Sequence, residues 1–179
     1  MNIHIETERF ILRDIEESDV QGIFDLDSDP DVNEFLGKKP IKTLQEAEQR
    51  IADVRAQYKK NGIGRWAIED KATGHFLGWS GLKYEEEVRE YGYYDLGYRI
   101  LKKHWGKGIA TETALASLRY GFETMNLSQI SGGAEAAHIV SNHILQKVGL
   151  RFVESFQFDG KECNWYTLMK EEWDLRENK

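Results

Sequence analysis

An α+β domain built on a mixed sheet is the fold class this sequence predicts, and three observations predict it. Apolar residues recur at spacings of 3 and 4 in separate segments, the period changes to two between them, and the strand-like segments follow one another both across short turns and across helices. Local order gives antiparallel neighbours and helix-separated order gives parallel ones, so one sheet holds both. In chain order, residues 3–13 read as a strand centred on Phe10-Ile11-Leu12. A helix is expected after Ser18, which stands three residues before Gln21 as in a capping box, and 27–30 breaks it. Thr43 and Glu46 form a better box, followed by Leu44, Ala47, Ile51, Val54 and Tyr58 on one face, with Asn61-Gly62 as the stop. Trp66 and Ile68 open a strand, 71–74 turn, 76–84 form a second strand and 91–100 a third. Helical spacing returns over 109–125, where Leu115, Leu118, Phe122 and Met125 share a face. Residues 129–136 read as a strand and 141–148 as a short helix stopped by Gly149. The chain closes on strands 151–158 and 164–169 around Asp159-Gly160, a hairpin signal.

The 179 residues contain two prolines and no Gly/Ser/Pro linker, so one domain over 1–179 is expected. Hydrophobic residues make up 40% and a folded core is expected from them. With 24 Lys plus Arg against 31 Asp plus Glu, the net charge of -7 argues against general nucleic-acid binding, which needs a basic face. It is compatible with small cationic substrates, although a solvated acidic surface accounts for it equally. The single cysteine, Cys163, excludes an internal disulfide and a multi-cysteine zinc site. There is no apolar run of membrane-spanning length and no signal-peptide pattern after Met1, so a cytoplasmic enzyme or binding domain without membrane partners is expected.

Chemistry concentrates at 98–112, Tyr98-Arg99-Ile100-Leu101-Lys102-Lys103-His104-Trp105-Gly106-Lys107-Gly108-Ile109-Ala110-Thr111-Glu112. This is a strand, a glycine-containing turn and the start of an amphipathic helix. Gly106, Gly108 and Ala110 keep the turn free of bulk, and a helix N-terminus offers unpaired N–H groups and partial positive charge to a phosphate or pyrophosphate. Lys107 adds a cation. A tight structural connection explains the glycines alone equally well. The spacing is neither a P-loop nor a dinucleotide fingerprint.

Trp105-Gly106-Lys107-Gly108-Ile109-Ala110-Thr111-Glu112 resembles the acetyl-CoA-binding motif of the GNAT superfamily of N-acetyltransferases, whose general form is Gln/Arg-x-x-Gly-x-Gly/Ala. Trp105 in the first position is typical of the branch resembling ribosomal-protein N-terminal acetyltransferases (RimJ/RimL-like). Thr7-Glu8-Arg9-Phe10-Ile11-Leu12-Arg13, Asp95-Leu96-Gly97-Tyr98-Arg99-Ile100 and Ser141-Asn142-His143-Ile144-Leu145-Gln146-Lys147-Val148-Gly149-Leu150 resemble further segments of that branch. The resemblance implies a twisted mixed sheet of about seven strands flanked by four helices, with acetyl-CoA in a V-shaped splay between neighbouring parallel strands. It implies pantetheine contacts along Tyr98, Arg99 and Ile100, pyrophosphate on the N–H groups from Gly106 to Thr111 including Ile109, and an oxyanion contact from the amide near Leu96. Transfer is then direct attack of an amine on the thioester in a ternary complex, and no metal is implied.

Many members of the superfamily place a tyrosine proton donor four residues before the late glycine, where this chain has Leu145. In the RimJ/RimL-like branch a serine near the helix start substitutes, and Ser141 matches it, although a helix N-cap explains a serine there too. Asn142 follows as the pattern expects, whereas His138 replaces the usual asparagine among the pantetheine contacts. Asp95 and Glu135 lie beside the expected splay and are candidate general bases, with solvated strand carboxylates as the plain alternative. A free lysine amine costs about 4–5 kcal/mol to deprotonate at neutral pH and an α-amine about 1, so a site without a strong base suits an α-amine of a protein or peptide. A small amine such as a polyamine or aminoglycoside, and a CoA-binding module without turnover, stay open. Trp66 is expected in the core; Trp79, flanked by Gly78 and Gly81, is expected to line the acceptor groove with Tyr91, Tyr93 and Tyr94 as further candidates. Exposed strand edges and the closing hairpin would support a homodimer.

Overall fold

The computed structural model describes residues 2–35 and 39–177. One sheet of eight strands runs in the order β1-β2-β3-β4-β5-β6-β8-β7. Its strands are β1 (Ile3–Glu6), β2 (Phe10–Arg13), β3 (Trp66–Asp70), β4 (Phe76–Glu85), β5 (Tyr93–Ile100), β6 (Gln129–Glu135), β7 (Arg151–Phe158) and β8 (Lys161–Met169). Only β5 and β6 are parallel; every other neighbouring pair is antiparallel. The helices are α1 (Val20–Ser28), α2 (Leu44–Asn61), α3 (Ile109–Arg119), α4 (Ile139–Lys147) and α5 (Lys170–Glu177).

Five differences from the sequence expectation have physical causes. The strand expected over 3–13 is two strands, because Thr7 accepts from and bonds back to Phe10 in a turn that folds β1 onto β2. The first helix follows a short 3₁₀ turn, Glu17–Asp19, whose capping box is Glu16 and Asp19, rather than starting from a box of Ser18 and Gln21. The helix expected to 125 changes to a wide π turn at Tyr120–Thr124, which carries buried Phe122 into the core. Helix α5 was not expected: only Trp173 and Leu175 are apolar in it, yet Trp173 is buried against Phe122, its indole N–H donating to Glu123 at 3.2 Å. The last strand, expected over 164–169, begins at Lys161 because it pairs with β7 up to the 159–160 turn, which brings Cys163 into β8, where it is buried. The box at Thr43 and Glu46 forms as expected, and α2 ends on Gly62 in the left-handed conformation.

The alternation of the strands gives the sheet two unlike faces. One carries the main core, where Trp66, Ile68, Leu82, Leu96 and Ile130 meet Leu118, Phe122, Leu145 and Trp173. The other carries a smaller cluster of Ile15, Ile23, Ile41, Ala47, Ile51 and Ala67, with Trp79 packed against it, beneath α1 and α2. Among the described residues, no helix is long and apolar enough to cross a membrane.

Candidate active site

β5 and β6 run side by side yet share a single bridged register position, Asp95 with Ser131. Each strand is fully paired on its other edge, β5 along β4 and β6 along β8. The two therefore part beyond Asp95 and leave main-chain groups of Tyr98 to Ile100 along an opening. The opening continues into a cleft of about 690 Å³ bordered by Tyr98, Ile100, the 104–111 turn and the start of α4.

The turn at the cleft floor is built to present N–H groups. Gly106 and Gly108 hold φ of 73° and 75°, a region costly for residues with a Cβ, and Gly108 is the N-cap of α3. Helix geometry leaves the N–H groups of Ile109, Ala110 and Thr111 without intrahelical acceptors, while Glu112 N–H already bonds Gly108 O. Two side chains brace the turn. Trp105 donates its indole N–H to Ile100 O at 2.8 Å, tying the turn to the end of β5. Arg9 donates to Lys107 O at 3.0 Å and to Glu112 at 2.7 Å. Burial raises the Glu112 pKa, but its bonds to Thr7 and Arg9 outweigh this and hold it below the usual carboxylate value. Lys107 turns its ammonium back toward Lys103 O at 3.3 Å. These residues, with the cleft above them, fit a diphosphate carrying a narrow, amide-bearing arm.

At the opposite wall, Ser141 lies one turn inside α4, whose N-cap is His138, so capping does not explain the serine. Its hydroxyl is 3.2 Å from the hydroxyl of Tyr98, which also bonds Ser141 O at 3.1 Å. Burial raises the Tyr98 pKa, keeping it a neutral phenol. Tyr98 was singled out for its main chain; its side chain sets a hydroxyl on the cleft wall beside Ser141, while Leu145 is buried in the core. His138 borders the cleft and stacks on Phe35 at 4.4 Å, and burial lowers its pKa. Asn142, expected among the cofactor contacts, has its side chain engaged within the protein. Its amide donates to Glu135 O and His138 O and accepts from Asn164 and Tyr166, so both donors and both lone pairs serve to fix α4 on β6 and β8.

The two candidate bases are not brought together. Asp95 stands at the mouth of the opening and pairs with Arg65; burial raises its pKa, with Arg65 and Lys83 pulling the other way. Glu135 is four residues further along β6, and both its oxygens accept from Lys161 at 3.0 Å. Leu96 buries its side chain in the core, leaving only its main chain for a ligand, and a Cβ on Gly132 would stand 3.3 Å from its carbonyl oxygen. The Leu96 main-chain edge therefore borders β6 where the strands part.

Arg99 was expected along the pantetheine path, and the structure sends its side chain elsewhere. The guanidinium points to the α1–α2 face of the sheet, pairs with Asp27 and lies over the Trp79 ring at 5.3 Å. Trp79 thus borders a second cavity, of about 310 Å³, together with Arg50, Gln57, Arg65 and Lys83. The glycine rationale for Trp79 does not hold: a side chain at Gly81 would strike Trp66, and one at Gly78 would strike the β5 backbone. Tyr93 instead packs edge-on against Trp165, and Tyr84 against Tyr94. Asp27, Arg50, Gln57 and Arg65 were not singled out as site residues in the sequence, and Arg9 only as one position of the 7–13 segment, since no spacing links them and only the folded register sets their directions.

Residues 9–151 match the domain family described as Acetyltransferase (GNAT) domain. An uncharacterised N-acetyltransferase of Bacillus subtilis (strain 168), YoaA, is 31% identical over 148 residues, 82% of each chain. Among solved structures, a spermidine N-acetyltransferase from Vibrio cholerae in complex with CoA and spermine superposes with a TM-score of 0.76 at 18% identity, over 93% of this chain and 99% of the other. RimL, a ribosomal L7/L12 alpha-N-protein acetyltransferase in complex with CoA, superposes with a TM-score of 0.77 at 13% identity, over 96% and 99%.

Proposed function

The chain belongs to the GNAT acetyltransferase family and is an acetyl-CoA-dependent N-acetyltransferase; from that premise we propose that its acceptor is the α-amine of a protein or peptide, as in the RimJ/RimL-like branch. The observation that carries the site assignment is the single bridged position between β5 and β6, beyond which the strands part above the α3 turn. Tyr98 to Ile100 line the arm of acetyl-CoA through their main chains, and the N–H groups from Gly106 to Thr111 hold its diphosphate. The group supplies an acyl thioester, a carbonyl that an amine attacks directly.

The residues of the chain handle the protons and the charge. Asp95 takes the proton from the amine, directly or through water. Burial makes it a stronger base than an exposed aspartate, and Arg65 fixes its position. Glu135, with both oxygens engaged by Lys161, is less suited to the task. The Leu96 main-chain N–H faces the developing negative charge. Ser141, in contact with the Tyr98 hydroxyl, delivers a proton at the sulfur side of the cleft. An α-amine suits this modest base better than a lysine amine, by about 3–4 kcal/mol of deprotonation cost.

Calorimetric titration with acetyl-CoA and thiol release with amine panels test the reading. Binding at or below about ten micromolar is expected, with peptide α-amines turned over in preference to diamines. Absence of binding overturns the site, and turnover of diamines alone overturns the acceptor. Ser141→Ala is expected to lower kcat by about 100-fold while changing acetyl-CoA affinity by less than about threefold.

A further inference from the structure

Among the described residues three buried side-chain polar atoms lack a hydrogen-bond partner, and two of them, Arg99 Nε and Gln57 Oε1, belong to residues lining the second cavity. One is a donor and the other an acceptor, and burying both unpaired opposes folding. The charges around them are also unevenly matched. Arg65 is closed by Asp95, and Lys83 by Glu85. Arg99 and Arg50 share one carboxylate, Asp27, with the Arg50 Nε at 3.9 Å from it. Asp53, the other carboxylate on the cavity wall, is exposed and accepts from Gln49 at 2.8 Å. At the Arg50–Arg99 end of the cavity two guanidiniums thus converge on the single buried carboxylate of Asp27. The side chain of Arg99 is nine-tenths buried, whereas that of Arg50 is 39% exposed and able to reorient. Burial lowers the Arg99 pKa, Asp27 opposes this, and the Arg50 and Arg65 charges add to it.

We infer that this cavity binds an acceptor carrying a carboxylate close to its amine, a peptide whose second residue is Asp or Glu, with Arg50 and Arg99 on the carboxylate and Gln57 accepting a peptide N–H. The inference rests on the acetyltransferase reading and names the acceptor class for it. Arg99 borders both this cavity and the acetyl-CoA cleft, so an acceptor seated here lies against the strand that lines the cleft. Arg65, which also lines the cavity, carries Asp95, the proposed base, so the inference orients the amine toward Arg65 and the carboxylate toward Arg50. A polyamine meets this wall with like charge.

The test compares C-terminally amidated Ala-Glu-Ala-Ala and Ala-Gln-Ala-Ala, which differ by one carboxylate, with spermidine as the third acceptor. Binding to the CoA-loaded protein is measured by calorimetry and turnover by thiol release. The Glu peptide is expected to bind and react at least about tenfold better than the Gln peptide, as a charge-assisted bond to a buried guanidinium allows. Arg50→Gln is expected to erase that preference and Arg50→Lys to keep part of it. Equal affinity for the two peptides, a preference unchanged by Arg50→Gln, or spermidine as the best acceptor overturns the inference while leaving N-acetyl transfer standing. A protein that turns over none of the amines fails the acyl-transfer reading, and the Glu-to-Gln binding ratio still decides the cavity.

Discussion

Gly97 shows how a single residue sets the chemistry of its neighbours. A Cβ there would lie 2.5 Å from the Arg65 guanidinium, whose position is already fixed by Gly81 O, Asp95 O and the Asp95 carboxylate. Gly97→Ala therefore pushes Arg65 off Asp95. Arg65 favours the ionised carboxylate, so its withdrawal raises the Asp95 pKa further. Activity that needs ionised Asp95 grows as pH rises through that pKa, so the acid limb of the kcat/KM profile is expected to move to higher pH. An unmoved limb would remove Asp95 from the role of base. Asp95 and Gly97 were legible as members of a strand motif, but Arg65 was not. It precedes β3 in a short link, and only the closed sheet brings it beneath β5.

The elements divide by how local their signals are. Helix α2 was legible because Thr43, Glu46, Ala47, Ile51 and Gly62 lie in it or at its caps and act as expected, whereas Leu44, expected on the same face, is exposed. The turn before α3 was legible from its glycines, but its bracing was not, because Arg9 lies 103 residues from Glu112. That brace holds the Lys107 carbonyl through Arg9, so Glu112→Gln is expected to weaken acetyl-CoA binding about threefold to tenfold through loosening of the turn, without touching the ligand. The partial exposure of both side chains keeps the effect at this size. Calorimetry reads it; unchanged affinity would show that the glycines alone hold the turn. Helix α5 was invisible because its docking depends on Trp173 meeting Phe122, a contact that no periodicity within eight residues announces.

The whole molecule depends on that late docking. Trp173 is 1% exposed and shares the main core with residues from both ends of the sheet. Trp173→Ala is expected to cost about 3–5 kcal/mol, read as a drop in the denaturation midpoint with the slope retained. A loss below about 1 kcal/mol would make α5 an appendage. The mixed sheet was legible from the order of its segments, whereas its eighth strand was hidden by the fold of β1 onto β2 within one apolar run. The lone bridge at Asp95 and Ser131 has a mechanical consequence. Five strands on one side and three on the other form two leaves joined at one rung, with helices as the binding. A ligand whose amides supply the missing rungs would act as mortar between the leaves, so the occupied enzyme and the empty one should differ in how readily the book opens.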